Sequence, residues 1–171
     1  SLYTNLNSIM VGALGTMEAV GFFTTGNKVV SLVMTIITAV TSTIIPRMSY
    51  LVGNGKEEEA VFLQKKTINL LNYMSLPMIA GLVILAKPII LVFSGEEFLP
   101  SVIVLQILSF LLIVIPWSSF LGLQILYPIR KEKYGNYAVI IGALVNLVLN
   151  FFLIPRYAYV GVAVSVVCAE T

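Results

Sequence analysis

Six apolar stretches, separated by shorter polar ones, run along this chain. They cover about residues 1–14, 20–45, 68–93, 102–126, 137–154 and 158–171. Most approach the roughly 20 residues that an α-helix needs to cross a hydrocarbon core of about 30 Å. A transmembrane barrel would instead show segments of about ten residues with alternating polarity, and none is present. The stretch 20–45 carries its polar residues at helical spacing. Thr24, Lys28, Ser31, Thr35, Thr38 and Ser42 follow one another at intervals of 4, 3, 4, 3 and 4, which puts all six on one helix face. The predicted fold class is therefore all-α, a polytopic transmembrane bundle of about six helices.

Composition sharpens this reading. Of the 171 residues, 58% are hydrophobic and 11% charged, against about 45–50% and 25% in soluble domains. A net charge of +2 gives no reason to expect a nucleic-acid partner. The placement of the charges says more. Arg47, Lys56, Lys65 and Lys66 fall between the second and third stretches, and Arg130, Lys131 and Lys133 between the fourth and fifth. The opposite links hold only Arg156. Lys and Arg accumulate on the cytoplasmic side of membrane proteins, so links 46–66 and 127–136 are expected there. Glu57, Glu58 and Glu59 with their neighbouring lysines read as a solvated amphipathic stretch. The chain starts and stops within apolar sequence, which reads as a piece of a longer polypeptide.

The polar face of stretch 20–45 is the main candidate for function. Lys28 lies about eight residues into the stretch, roughly 12 Å at 1.5 Å per residue. An ammonium group near a helix centre costs roughly 2.5–3.5 kcal/mol to insert. The face must therefore meet other helices or a water-filled cavity. In the first case Lys28 is a structural ion pair; in the second it attracts an anion. Asn5, on a weaker stripe with Ser8 and Gly12, and the pair Asn146 and Asn150, spaced i, i+4, have the same two readings: interhelical hydrogen bonding or cavity lining. Pro77 and Pro116 predict bent helices. Trp117 reads as an interfacial anchor, and Lys87 as snorkelling to the outer surface.

The sequence has no His and no Asp. It cannot assemble a His-containing metal cluster or a Ser–His or Cys–His nucleophile, and it has no phosphate-binding glycine loop. No metal, cofactor or enzymatic activity is expected.

Several segments occur in a familiar order: YTNLNSIMVG, VGFFTTGNKV, IIPRMS, SLPMIAGL, FSGEEF, QILYPIRKEK and NLVLNFFLIPRYAYVGVAV. Together they span nearly the whole chain. They resemble the start of the second lobe of polysaccharide repeat-unit flippases, within the multidrug/oligosaccharidyl-lipid/polysaccharide exporter superfamily. The resemblance implies part of one lobe of a two-lobed exporter. It further implies alternating access that flips undecaprenyl-diphosphate-linked oligosaccharides across a bacterial inner membrane for lipopolysaccharide or capsule biosynthesis. On that reading Lys28 attracts the diphosphate, while Thr24, Ser31, Thr35, Asn5, Asn146 and Asn150 offer hydrogen bonds. The expected partners are the bilayer, the lipid-linked substrate, H+ or Na+ as coupling ion, and other polysaccharide assembly proteins. One departure concerns Asn7, where relatives often carry Asp; ion coupling through that position is in doubt here. The competing readings are a multidrug or cation exporter of the same superfamily and a membrane-embedded glycan polymerase or ligase. A cavity lysine argues against the first, and the short outer links and missing His and Asp against the second.

Overall fold

A computed structural model describes residues 7, 9–12, 16–126 and 132–171. The described residues are helical throughout apart from turns. Helix α1 spans Met17–Ser42, α2 Ile45–Gly53, α3 Glu57–Ile84, α4 Ala86–Ser94, α5 Ser101–Leu108, α6 Leu111–Ser119, and α7 Glu132–Glu170. A 3-10 turn covers Glu96–Phe98, and a π-helical turn Phe120–Leu126 follows α6. Among the described residues, four stretches are long and apolar enough to span a membrane: Met17–Gly53, Glu57–Ile84, Ser101–Gly122 and Lys133–Glu170. The protein is a multi-pass membrane protein.

Local chemistry sets the helix ends. Thr16 caps α1, its Oγ1 accepting from the Ala19 amide at 3.2 Å, with Glu18 in the positively polarised first turn. Pro46 has no amide hydrogen for the Ser42 carbonyl, so the chain turns at Thr43 and Ile44 before α2 begins. Link 46–66 is thus largely helical rather than loop. Its reversal needs only Asn54, Gly55 in the left-handed region (φ 70°) and Lys56. Glu57, Glu58 and Glu59 then occupy the first turn of α3, where carboxylates favour the helix dipole. Pro88 acts in the same way as Pro46, and the α3–α4 break falls at Leu85, three residues before it.

The last helix reverses direction. Ala158 has φ 46° and ψ −124°, outside helical values. The hydroxyl of Ser165 donates to Asn150 Oδ1, although fifteen residues of straight helix would place them roughly 22 Å apart. Residues 132–157 and 159–170 are therefore two antiparallel arms. They pack so closely that a Cβ on Gly161 would sit 2.5 Å from the Leu153 carbonyl oxygen.

Helices α5 and α6 form the centre. Their span is 44% buried, against 17–28% for the other three. Val104, Leu105, Leu108 and Leu112 meet Phe23, Val30 and Ile37 of α1, and Ile154 and Val162 of α7, in one core. Gly26 brings α1 and α5 together, because a Cβ there would lie 2.8 Å from Val104 Cγ1. At one end of the bundle, Phe22 makes edge-on contacts with Phe98 and Tyr159, at 6.0 and 5.4 Å between ring centres. This ties the start of α1 to the 3-10 turn and the Ala158 reversal. At the other end α2 packs against the π-helical turn.

Proline also explains a buried hydrogen bond between α3 and α6. Pro116 cannot donate to the Leu112 carbonyl, and Ser75 Oγ on α3 donates to it instead, at 2.7 Å. One turn away, Trp117 Nε1 donates to Asn72 Oδ1 at 2.9 Å, so Trp117 joins two helices. Gln106 Nε2 bonds the Val83 carbonyl in the last turn of α3, at 3.1 Å. A double-mutant cycle tests the Ser75 assignment. Ser75→Ala leaves a buried carbonyl unpaired and should cost about 1–2 kcal/mol in thermal unfolding of the intact protein. In a Pro116→Ala background, the restored amide takes over the Leu112 carbonyl and the same substitution should cost little. An equal cost in both backgrounds would disprove the assignment.

Candidate functional site

The polar face of stretch 20–45 belongs to α1, and its position is set by what α1 buries. Ala19, Phe23, Gly26, Val30 and Ile37 turn toward the core. The stripe of Thr24, Lys28, Ser31, Thr35, Thr38 and Ser42 lies on the other side. Thr24 is half-buried and the other five are exposed. No described helix covers this face.

The hydroxyl groups hold on to their own helix. Thr24 Oγ1 donates to the Val20 carbonyl, Thr35 to Ser31 at 2.9 Å, Thr38 to Met34 at 3.0 Å and Ser42 to Ala39 at 2.8 Å. This back-bonding satisfies the proton of four of the five hydroxyls, Ser31 being the exception, and leaves oxygen lone pairs free to accept. Lys28 differs, since an ammonium has three protons and no such route. Among the described residues the sole ion pair is Lys56 with Glu59 at 2.9 Å, so Lys28 has no carboxylate partner there. The face therefore offers one free cation flanked by hydroxyl acceptors.

The asparagines are placed differently. Asn146 and Asn150, on the first arm of α7, are buried in the core rather than brought to the stripe. Asn150 is the hub of a neutral cluster. Its Nδ2 donates to Asn7 Oδ1 at 2.6 Å and to Asn146 Oδ1 at 3.1 Å, with Met10 Sδ at 3.7 Å. Its Oδ1 accepts from Ser165. Among the described residues, Asn146 Nδ2 has no partner. Three amides and a hydroxyl do not titrate in the physiological range, so this cluster has no group that gains or loses a proton. Of these, Ser165 carries no sequence signal by itself, because its partner lies beyond the chain reversal. Asn5, the remaining candidate, lies outside the described residues.

Two cavities open elsewhere. One of about 1410 Å³ lies between the π-helical turn and both arms of α7, near Trp117, Gly122, Tyr134 and Asn136. Exposed Cys168 is also on its wall. A smaller one of about 470 Å³ lies between α2 and α3. Neither contains a residue of the α1 stripe. Among the described residues, the stripe is an open face and lines neither of these two cavities.

Comparison with known proteins places this sequence in a family. The chain is 27% identical over 174 residues to the "Putative O-antigen transporter" of Escherichia coli, covering 99% of the chain and 41% of the relative. It is 25% identical over 163 residues to the "Probable low-salt glycan biosynthesis flippase" of Haloferax volcanii, covering 95% and 34%. It is 29% identical over 136 residues to the "Probable lipid II flippase MurJ" of Vibrio cholerae, covering 74% and 25%. The chain thus spans between a quarter and about two fifths of the length of these three relatives. No solved structure matches it significantly. The sequence signature described as "Polysaccharide biosynthesis protein" matches residues 1–103, well over half of the chain, and this chain belongs to that polysaccharide biosynthesis protein family.

Proposed function

We propose that the intact protein flips undecaprenyl-diphosphate-linked oligosaccharide repeat units across the bacterial inner membrane by alternating access. This chain supplies part of one of its two lobes. The observation that carries the reading is the open polar face of α1. Hydrocarbon is a costly neighbour for five hydroxyls and an unpaired ammonium. No described helix shields them, and four of the five hydroxyls bond their own backbone rather than a neighbouring helix. A second lobe facing this stripe encloses an aqueous cavity, which explains why the stripe is an open surface in one lobe taken alone.

In that cavity Lys28 supplies charge for the diphosphate, and Thr24, Ser31 and Thr35 present oxygens to sugar hydroxyls. Asn146 and Asn150 hold helices together. The protein moves its substrate without covalent chemistry. The names of the relatives, two of them flippases and one an O-antigen transporter, support a lipid-linked glycan. The basic ends at α2 and at Lys133 face the cytoplasm, by the excess of Lys and Arg there.

Two experiments test this. The intact protein should restore surface polysaccharide to a bacterial strain that lacks its own repeat-unit flippase; no restoration, with the protein present in the membrane, rejects the substrate class. Separately, Thr35→Cys in a Cys168→Ser background should react with a membrane-impermeant maleimide. A cysteine replacing Val148, on the exposed apolar side of α7, should not. Equal protection of both positions would mean that no water reaches the stripe.

A further inference from the structure

We propose that the groove between α2 and the first turns of α3 binds the headgroup of an anionic glycerophospholipid from the adjoining membrane leaflet. The inference needs only that the protein spans a membrane, not that it flips a glycan. The groove, of about 470 Å³, is lined by Arg47 of α2 and by Lys66 of α3. Both side chains are exposed. Neither makes an ion pair among the described residues, where Lys56–Glu59 is the sole example. Ile44, Phe62 and Leu70 complete an apolar wall beside them, and Phe62 is 70% exposed.

The position along the chain decides the occupant. Arg47 stands five residues after α1 ends at Ser42, just past Pro46. Lys66 is the last charged residue of α3, one turn before Leu70. The two basic residues thus bound the uncharged runs 29–46 and 67–86, the parts of these helices suited to hydrocarbon. A guanidinium and an ammonium at that depth meet the phosphate level of a bilayer. Basic groups just outside a span attract anionic lipid, and a guanidinium can bind phosphate through two parallel hydrogen bonds. A free anion gains nothing from Phe62 and Leu70, whereas a lipid covers them with its chains.

Glu58 and Glu59 also line the groove, at its far end. They precede Lys66 by seven or eight residues, roughly 10–12 Å of helix. That exceeds the Debye length of about 8 Å at physiological salt, and Glu59 is already paired with Lys56. The carboxylates thus keep the phosphate at the membrane end without neutralising its site.

The test is native mass spectrometry of the intact protein in mild detergent, with phosphatidylglycerol or phosphatidylcholine added at equal concentration. Phosphatidylglycerol should be retained severalfold better. Arg47→Gln with Lys66→Gln should reduce it to the phosphatidylcholine level, and Glu58→Gln should leave it unchanged or raise it. Lys56→Gln with Lys133→Gln removes the same charge elsewhere and should preserve the preference. If the double variant of Arg47 and Lys66 does not fold, the single variants carry the test, each losing part of the preference. Equal retention of the two lipids by the wild type overturns the proposal. So does an equal loss in the Lys56 and Lys133 variant, or displacement of phosphatidylglycerol by excess inorganic phosphate, which would mark a site for free anions.

Discussion

Lys28→Ala should abolish surface polysaccharide in a strain that depends on the intact protein, and Lys28→Arg should restore most of it. The side chain is exposed on α1 and makes no ion pair among the described residues. Its removal should therefore leave folding within about 0.5 kcal/mol of wild type, and immunoblots should show normal membrane levels. Its effect on transport is expected to be large. A hydrogen bond to a charged partner contributes about 1.5–3 kcal/mol, and a diphosphate can take more than one from a single ammonium. Every 1.4 kcal/mol is about tenfold in affinity, so the substitution should weaken capture by tenfold to several hundredfold. Arginine keeps the charge and tests whether charge, rather than the shape of lysine, matters. Full surface polysaccharide with Lys28→Ala would remove the anion-attracting role from this face and leave the family membership untouched.

The stripe could be read from sequence because helical spacing is a local property. Intervals of three and four residues place Thr24, Lys28, Ser31 and Thr35 on one face whatever surrounds the helix. The same logic grouped Asn146 with Asn150, yet it does not reveal what a face meets. Both proved to be core residues, since their partners Asn7 and Ser165 reach them only through tertiary packing and the turn at Ala158. The all-α class was legible for a similar reason: the long apolar runs allow few alternatives in lipid. Helix ends were less so. Charged residues between 46 and 66 suggested a link. Carboxylates at a helix start and lysines farther along are equally compatible with an exposed helix, and the structure has α2 and the start of α3 there. Prolines gave a signal that spacing did not exploit. Pro116 implies an orphan carbonyl at Leu112, and that orphan predicts a donor on a neighbouring helix, which is Ser75. Trp117, read as an interfacial anchor, is likewise bonded between helices. A large aromatic with one donor suits either role, and the choice depends on Asn72, more than forty residues away.

Asn150→Leu should be the most destabilising single change at the polar residues of this chain. It removes one amide that bonds three residues at once: Asn7 Oδ1 and Asn146 Oδ1 lose their donor, and Ser165 Oγ loses one of its two acceptors. Leucine has the same branching and the same number of side-chain heavy atoms but bulkier methyl ends, so no cavity forms and the loss combines unmet hydrogen bonding with some crowding. A buried group left unpaired costs about 1–3 kcal/mol. Hydrogen bonds between membrane helices are often weaker, roughly 0.6–2 kcal/mol, because partly unfolded helices find other partners. Ser165 also keeps a bond to the Val162 carbonyl at 2.9 Å. The total expected is therefore about 2–4 kcal/mol, seen as a drop of several degrees in the unfolding temperature of the intact protein. Ser165→Ala should cost less, since it strands only Asn150 Oδ1. Asn146→Leu should cost least of the three, because its Nδ2 is already unpaired and only its Oδ1 accepts a bond. The order Asn150, Ser165, Asn146 follows from the hydrogen-bond map and not from burial, which is nearly complete for all three. Equal losses at the three positions would mean that packing, rather than the hub at Asn150, holds the two arms of α7 against the N-terminal helical residues.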